Sequence, residues 1–217
     1  MLKSRSFLVI FGIIVPISLF LLILLSTQMC TADCAGELGK QYASAWAEDG
    51  SYSWKTNALS DLGVSKVATL FNYTLIIGGI LQAIYGIGIL RSFNSKLYSV
   101  GVLIFIFAAI SLSFIGIYTE EAGVLHLYPS IGFFILAPIA MIIIGGSFLK
   151  AEMKKQSCNY VGITLILLGI LSLITISAFS NDWHVALGLG FGVPEIIEAF
   201  LIILSIVALS RTILYKK

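Results

Sequence analysis

The chain has 217 residues, of which 59% are hydrophobic and only 11% charged, with a formal net charge of +2. Soluble domains are about one quarter charged, so this chain lacks the charge to cover a water-facing surface and uses lipid as its solvent. A soluble enzyme is excluded, as is a nucleic-acid groove, which needs a basic run interleaved with aromatics.

Six stretches reach the roughly 20 apolar residues that a bilayer core demands. In chain order they are 7–27, 67–90, 98–118, 127–149, 159–180 and 193–210. In hydrocarbon every backbone N–H and C=O must be satisfied internally, so these stretches predict helices. The short alternating strands of a membrane barrel are absent. The expected fold is therefore all-α: one polytopic domain over 1–217 with six transmembrane helices. The first stretch starts with Lys3 and Arg5 like a signal peptide. Its apolar core is about twice the usual length and no A-x-A site follows, which predicts a retained helix, kinked at Pro16.

Charge sets the expected orientation. The N-terminus, 91–97, 150–158 and 211–217 together hold 10 of the 13 basic residues and only Glu152 of the 11 acids. Positive-inside then predicts a multi-pass cell-membrane protein with both termini cytoplasmic. The outside receives one long loop, 28–65, and two short ones, 119–126 and 181–192.

The long loop holds Cys30 and Cys34 on the oxidising side. A disulfide there would staple the exit of the first helix and constrain little entropy, because the ring is short. A redox pair is the alternative, but neither a two-residue spacing nor a second pair is present. Leu38, Tyr42 and Trp46 are spaced as one face of a helix, which suits a short interfacial helix as well as a loop with scattered aromatics. In "NALSDLG", residues 57–63, Ser60 or Asp61 fits the N-cap of the second span, and Gly63 suggests a turn. Glycines recur in the spans at 78, 79, 86, 88, 145, 146, 162 and 169, where they allow close helix packing.

Polar side chains gather on the same membrane side. Asn57, Ser60 and Asp61 precede the second span, and Glu120, Glu121 and His126 lie between the third and fourth. Ser130 follows His126 at i+4, on the same helix face. Asp182 and His184 lie in the last external loop. Glu195 follows Pro194, as ordinary helix-start acids do. Glu198 sits one turn deeper, where a carboxyl needs a cavity or a partner.

Two chemistries fit. Histidines and carboxylates would hold a divalent metal such as zinc. Alternatively Ser60 or Ser130 would be a nucleophile, His126 its base, and Asp61 or Glu198 the orienting acid. A third reading is a hydrogen-bonded cluster that ties helix ends together. The bilayer middle offers mainly Asn72, Gln82 and Tyr85, too sparse for an ion path.

"NALSDLG", "GVLHLYPSIGFF" and "VPEIIEAF" together resemble a family of archaeal and bacterial six-helix membrane proteins of unknown function. That family is distantly similar to DRAM-like and FGF-receptor-activating-protein-like membrane proteins, some of whose relatives act in lipid remodelling. The resemblance maps recurrent positions to Asn57, Ser60, Asp61, Gly63, His126, Pro194 and Glu195. It also brings in membrane hydrolases of the alkaline-ceramidase and progestin-receptor type, which use three histidines, an aspartate and a serine around zinc on seven helices. Two histidines and six helices fall short of that set.

The expectation is a protein with an outward-facing polar pocket that binds a membrane lipid or other amphiphile and hydrolyses or transfers it. Ser60, Asp61, His126 and Glu195 are the catalytic candidates, and Asn57, Ser130, His184 and Glu198 the binding ones. A scaffold or receptor-like protein and a small-solute transporter are the alternatives.

Overall fold

The computed structural model describes residues 2–43, 46–150, 156–180 and 186–214. Seven α-helices lie among them: α1 (Leu2–Met29), α2 (Gly36–Tyr42), α3 (Ala68–Ile89), α4 (Lys96–Ile117), α5 (Val124–Phe148), α6 (Gln156–Ser180) and α7 (Gly192–Leu214). All but α2 are long and apolar enough to cross a membrane. The expected spans are therefore helices, each shifted at its ends by no more than a few residues. Pro16 lies inside α1, and Pro129 and Pro138 lie inside α5.

The six long helices form a closed ring in chain order. α1 packs on α3, α3 on α4, α4 on α5, α5 on α6, α6 on α7, and α7 back on α1. α5 and α7 touch each other little. Consecutive spans alternate in direction, so the ends of α1, α4 and α6 share one end of the ring with the starts of α3, α5 and α7. That end carries a Cys30–Cys34 disulfide and is called the disulfide end below.

Lipid offers no hydrophobic drive for helix association, so close approach and van der Waals contact must hold the ring. Glycine provides both. A Cβ on Gly79 of α3 would fall 2.5 Å from the Ala109 carbonyl oxygen of α4. Gly145 of α5 and Gly162 of α6 face each other so closely that either Cβ would lie within 2.8 Å of the other's carbonyl oxygen. Outward positions such as Ile77, Ile84, Phe107 and Leu167 are apolar and exposed, as lipid contact requires.

Buried residues form two clusters. One, toward the opposite end, joins Tyr85, Tyr98, Phe105, Met141, Ile144, Phe148, Leu165 and Leu209. The other lies at the disulfide end, where Cys30, Cys34, Leu59 and Leu62 pack on Leu19, Ile23, Phe71, Leu75, Leu112 and Ile115. The loop between α1 and α3 therefore plugs into the mouth of the ring.

Two local expectations are corrected, and the turn expected at Gly63 is present but of a different kind. α2 ends at Tyr42, and the Trp46 indole N–H turns back to donate to the Gly39 carbonyl at 3.0 Å, so the aromatic stripe is not one helix. Ser60 and Asp61 do not cap α3: they open a separate 3-10 turn, Ser60–Val64, and α3 starts after Val67 without a side-chain cap. Gly63 has no positive φ. It is small because Asn72 Nδ2 donates to its carbonyl at 2.9 Å, and a Cβ there would fall 2.8 Å from Asn72 Oδ1.

Replacing Gly79 by Leu should destabilise the protein by about 2 kcal/mol, because backbone stands where the side chain would go. At Gly146 nothing lies within 4 Å of an added Cβ, so Gly146→Ala should be neutral or stabilise by ~0.5 kcal/mol through lower helix entropy cost. Thermal unfolding in detergent would separate the two.

Candidate functional site

The site is assembled from the loop between α1 and α3 and the starts of α5 and α7. Residues 30–35 are the loop's hub. Tyr52 N–H donates to the Cys30 carbonyl at 3.0 Å, Ala35 N–H to Gly50 at 2.9 Å, and Lys66 N–H to Cys34 at 2.9 Å. Lys66 also pairs with Asp33. The disulfide thus anchors a fold-back that presents 52–64 to the ring.

Asn57 organises that segment. Its Oδ1 accepts Ser53 N–H at 3.0 Å, and its Nδ2 donates to Asp61 Oδ2 at 2.6 Å. Asp61 Oδ2 also accepts Ala58 N–H at 3.1 Å, a carboxylate reaching back to an early backbone donor as in a capping box. Asn57 and Asp61 are both buried.

The segment is then tied to α7. Gly190 N–H donates to Trp54 O at 2.8 Å and Gly192 N–H to Asn57 O at 2.7 Å. Side chains at either glycine would collide: a Cβ on Gly190 would lie 2.5 Å from Thr56 N, and one on Gly192 2.1 Å from the Tyr52 hydroxyl oxygen. Leu59 N–H donates to Glu195 Oε2 at 2.5 Å. Glu195 is therefore more than a helix-start acid, since it accepts a backbone donor from another element 136 positions away.

The turn before α5 closes the other side. Residues Glu120–Ala122 make a 3-10 turn, and Gly123 follows at φ 56°, a left-handed conformation that favours glycine. Ser60 Oγ donates to Glu120 Oε1 at 2.6 Å, and the Asp61 carboxyl lies close enough to act on Glu120 electrostatically. His126 Nδ1 meets the Tyr118 carbonyl oxygen at 2.6 Å. A carbonyl only accepts, so Nδ1 carries the proton and Nε2 of the neutral ring keeps its lone pair. Ser130 Oγ donates to the His126 carbonyl at 2.9 Å.

Two connected spaces meet these residues. A groove on the α5, α6 and α7 side is lined by Ser60, Asp61, Glu120, His126, Ser130 and Glu195, with Leu127, Ile131, Ile135 and Ile176 forming its apolar part. A central cavity of about 100 Å³ shares Ser60, His126, Ser130, Phe134 and Glu195 with it and continues between α1, α3, α4, α5 and α7. Its far walls are Pro16, Gln82, Phe105 and Ile206.

Of the expected residues, Ser60, Asp61, His126, Ser130 and Glu195 come together around this vestibule, and Asn57 lies behind them, holding Asp61. Glu198 does not line it. It is fully buried in the ring, with neither carboxyl oxygen hydrogen-bonded among the described residues. His184 and Asp182 lie outside the described residues. Among the described residues no group of three or more His, Cys, Asp and Glu is placed to hold a metal ion.

Sequence reasoning named Glu120 in the polar group but not among the site candidates, and it passed over Tyr52 and Gln82 as site residues. Glu120 and its neighbour Glu121 are alike in sequence, and only the fold turns Glu120 toward Ser60 while Glu121 stays exposed. Gln82 carried a signal, as an amide at membrane depth.

One family model, described as a protein of unknown function (DUF998), matches residues 42–212. The chain belongs to this family. The matched region of this DUF998 member runs from the end of α2 to the last turn of α7 and contains every vestibule residue. No curated protein and no solved structure matches the chain.

Electrostatics mark the vestibule. Burial raises the Glu120 carboxyl from its ordinary 4.5 to about 7; the Ser60 hydroxyl opposes this, while the charge of Asp61 adds to it. Burial, then the charges of Glu195 and Asp61, push the Tyr52 phenol above its usual range. The fold favours protonated Glu120, so its contribution to stability is complete below 4.5 and lost as pH rises through about 7. Thermal midpoints measured across that window should fall with rising pH, with a shallower slope in Glu120→Gln.

Proposed function

We propose that this protein binds a single amphiphile drawn from the membrane, with the head group in the vestibule and the apolar chain in the central cavity. The observation that carries this reading is the shared wall: Ser60, His126, Ser130 and Glu195 line both the groove beside α5 and the cavity that runs down to Gln82 and Ile206. Small-molecule sites are characteristically apolar clefts with a few convergent polar groups. The vestibule offers acceptors in the carboxyl oxygens of Asp61 and Glu195 and in His126 Nε2, so the matching head group donates hydrogen bonds, as an amine or hydroxyl does. The disulfide and the basic residues of the opposite end support an orientation with the vestibule outside and both termini in the cytoplasm.

A second reading, hydrolysis or transfer of the bound amphiphile, is favoured by the His126 tautomer. Its free Nε2 is the form required of a general base. Ser60 or Ser130 would have to exchange its present acceptor, Glu120 or the His126 carbonyl, for that nitrogen.

The test is photocrosslinking in nanodiscs with a long-chain amine that carries a diazirine along its chain. Labelling is expected on cavity residues of α3, α5 and α7, and should drop about tenfold in Ala199→Phe, which fills the cavity; a tenfold change corresponds to about 1.4 kcal/mol. Labelling confined to outward residues such as Ile77 and Phe107, unchanged by that substitution, would refute binding. For the second reading, release of a labelled acyl group from the amine's amide should fall ~100-fold or more in His126→Ala; unchanged release would end it.

A further inference from the structure

Gln82 stands out at the floor of the cavity. It is on α3, 4% exposed, and neither its Oε1 nor its Nε2 has a hydrogen-bond partner among the described residues. An amide without partners in hydrocarbon costs several kcal/mol, and native interiors rarely leave one so. Nearby polar groups are satisfied. One turn further along α3, Tyr85 is 2.7 Å from Ser210 Oγ. The Ser210 proton goes to the Ile206 carbonyl at 2.8 Å, so the phenol is the donor. At the other end of the cavity Ser60 and Glu195 are also partnered. Tyr52, Ser172 and Glu198 also carry unpartnered oxygens among the described residues, but none of them lines this cavity, whose buried unmet hydrogen bonds are thus at the floor.

The depth of the cavity sets a distance. Phe71 and Gln82 both line it on α3, and Glu195 and Ile206 both line it on α7. Each pair is eleven positions apart, a rise of ~16 Å at the helical 1.5 Å per residue. A polar group at the vestibule and another at Gln82 are therefore separated by about the length of a stretched medium-length alkyl chain. Between them the wall is apolar: Leu19, Leu75, Leu112, Phe133 and Ile202.

Resting on the amphiphile reading, we infer that the ligand is bipolar: a single-chain amphiphile with a second hydrogen-bonding group, a hydroxyl or a protonated carboxyl, at the far end of its chain, where Gln82 receives it. The carboxamide offers two donors and one acceptor, so it both gives to and takes from an O–H-bearing group. Its last torsion is broad and roughly twofold, so the amide plane turns toward an occupant without leaving its rotamer well. An ordinary acyl chain would place a methyl group against the amide and leave it unpaired. Gln82 in this way discriminates against bulk membrane lipid, the competitor present in largest excess.

The experiment compares two probes on the full-length protein in nanodiscs: a long-chain α,ω-diol and the 1-alkanol of equal chain length, each displacing a fluorescent long-chain alcohol. The diol should bind about tenfold more tightly, although water solvates it better. In Gln82→Met the ratio should fall to about one. The Met variant removes an unpaired buried amide, so its unfolding midpoint without ligand should equal or exceed the parent's. The parent's ratio stands without any variant, and Gln82→Leu serves if the Met variant fails to fold. Equal affinities in the parent, the result expected if a resident water alone satisfies Gln82, would overturn the proposal while leaving amphiphile binding intact, as would a diol preference that survives in both variants. If neither probe displaces the fluorescent alcohol and the crosslinking of the cavity also fails, both readings fall together.

Discussion

The hydrogen bond from Leu59 N–H to Glu195 is the constraint on which the site depends. It joins the loop between α1 and α3 to the first turn of the last helix at 2.5 Å, where a backbone donor has little water to turn to. With Gly190 N–H and Gly192 N–H donating to Trp54 and Asn57, it lays the loop along the start of α7. Together with the Ser60 hydroxyl on Glu120, that seam fixes Ser60 and Asp61 relative to His126, which arrives from a different part of the chain. Glycine at 190 and 192 is the steric condition for the seam, since the loop backbone and the Tyr52 ring occupy the space of their side chains.

The same ordering explains why a cavity exists at all. Six helices in a closed ring meet at their edges through glycines and small residues, and such contacts draw neighbours together without filling the centre. Toward the opposite end large rings fill it: Tyr85 and Phe105 meet edge to face, as do Phe93 and Phe148. At the disulfide end the plug of Leu59 and Leu62 fills it. The space in between is apolar along its sides and polar at both ends, through the vestibule above and Gln82 below.

Legibility followed the range of the interactions. The six spans were evident because hydrophobic length is a property of consecutive residues. The polar group at the disulfide end was evident as a collection: Asn57, Ser60, Asp61, His126, Ser130 and Glu195 were singled out, and they lie around or directly behind one vestibule. Their partners were not evident. Asp61 has the composition of a helix cap but holds Asn57 and Ala58 within its own turn. Gly63 does lie in a turn, but its lack of a side chain serves to make room for Asn72. Trp46 fits a helical stripe, yet its indole bends back to Gly39. In each case a local pattern admitted two structures and a contact with another segment chose between them.

The sequence by itself determined the solvent, the number of membrane helices and the side on which polar chemistry collects, because these follow from the hydrophobicity and charge of contiguous stretches. Only the tertiary structure decided which of two adjacent glutamates meets Ser60, that His126 keeps Nε2 free by donating to Tyr118, and that Gln82 is left unpaired beside a cavity. Those outcomes depend on the angular placement of helices around the ring. That placement is set by close packing among side chains far apart in the chain, and no local pattern of residues encodes it.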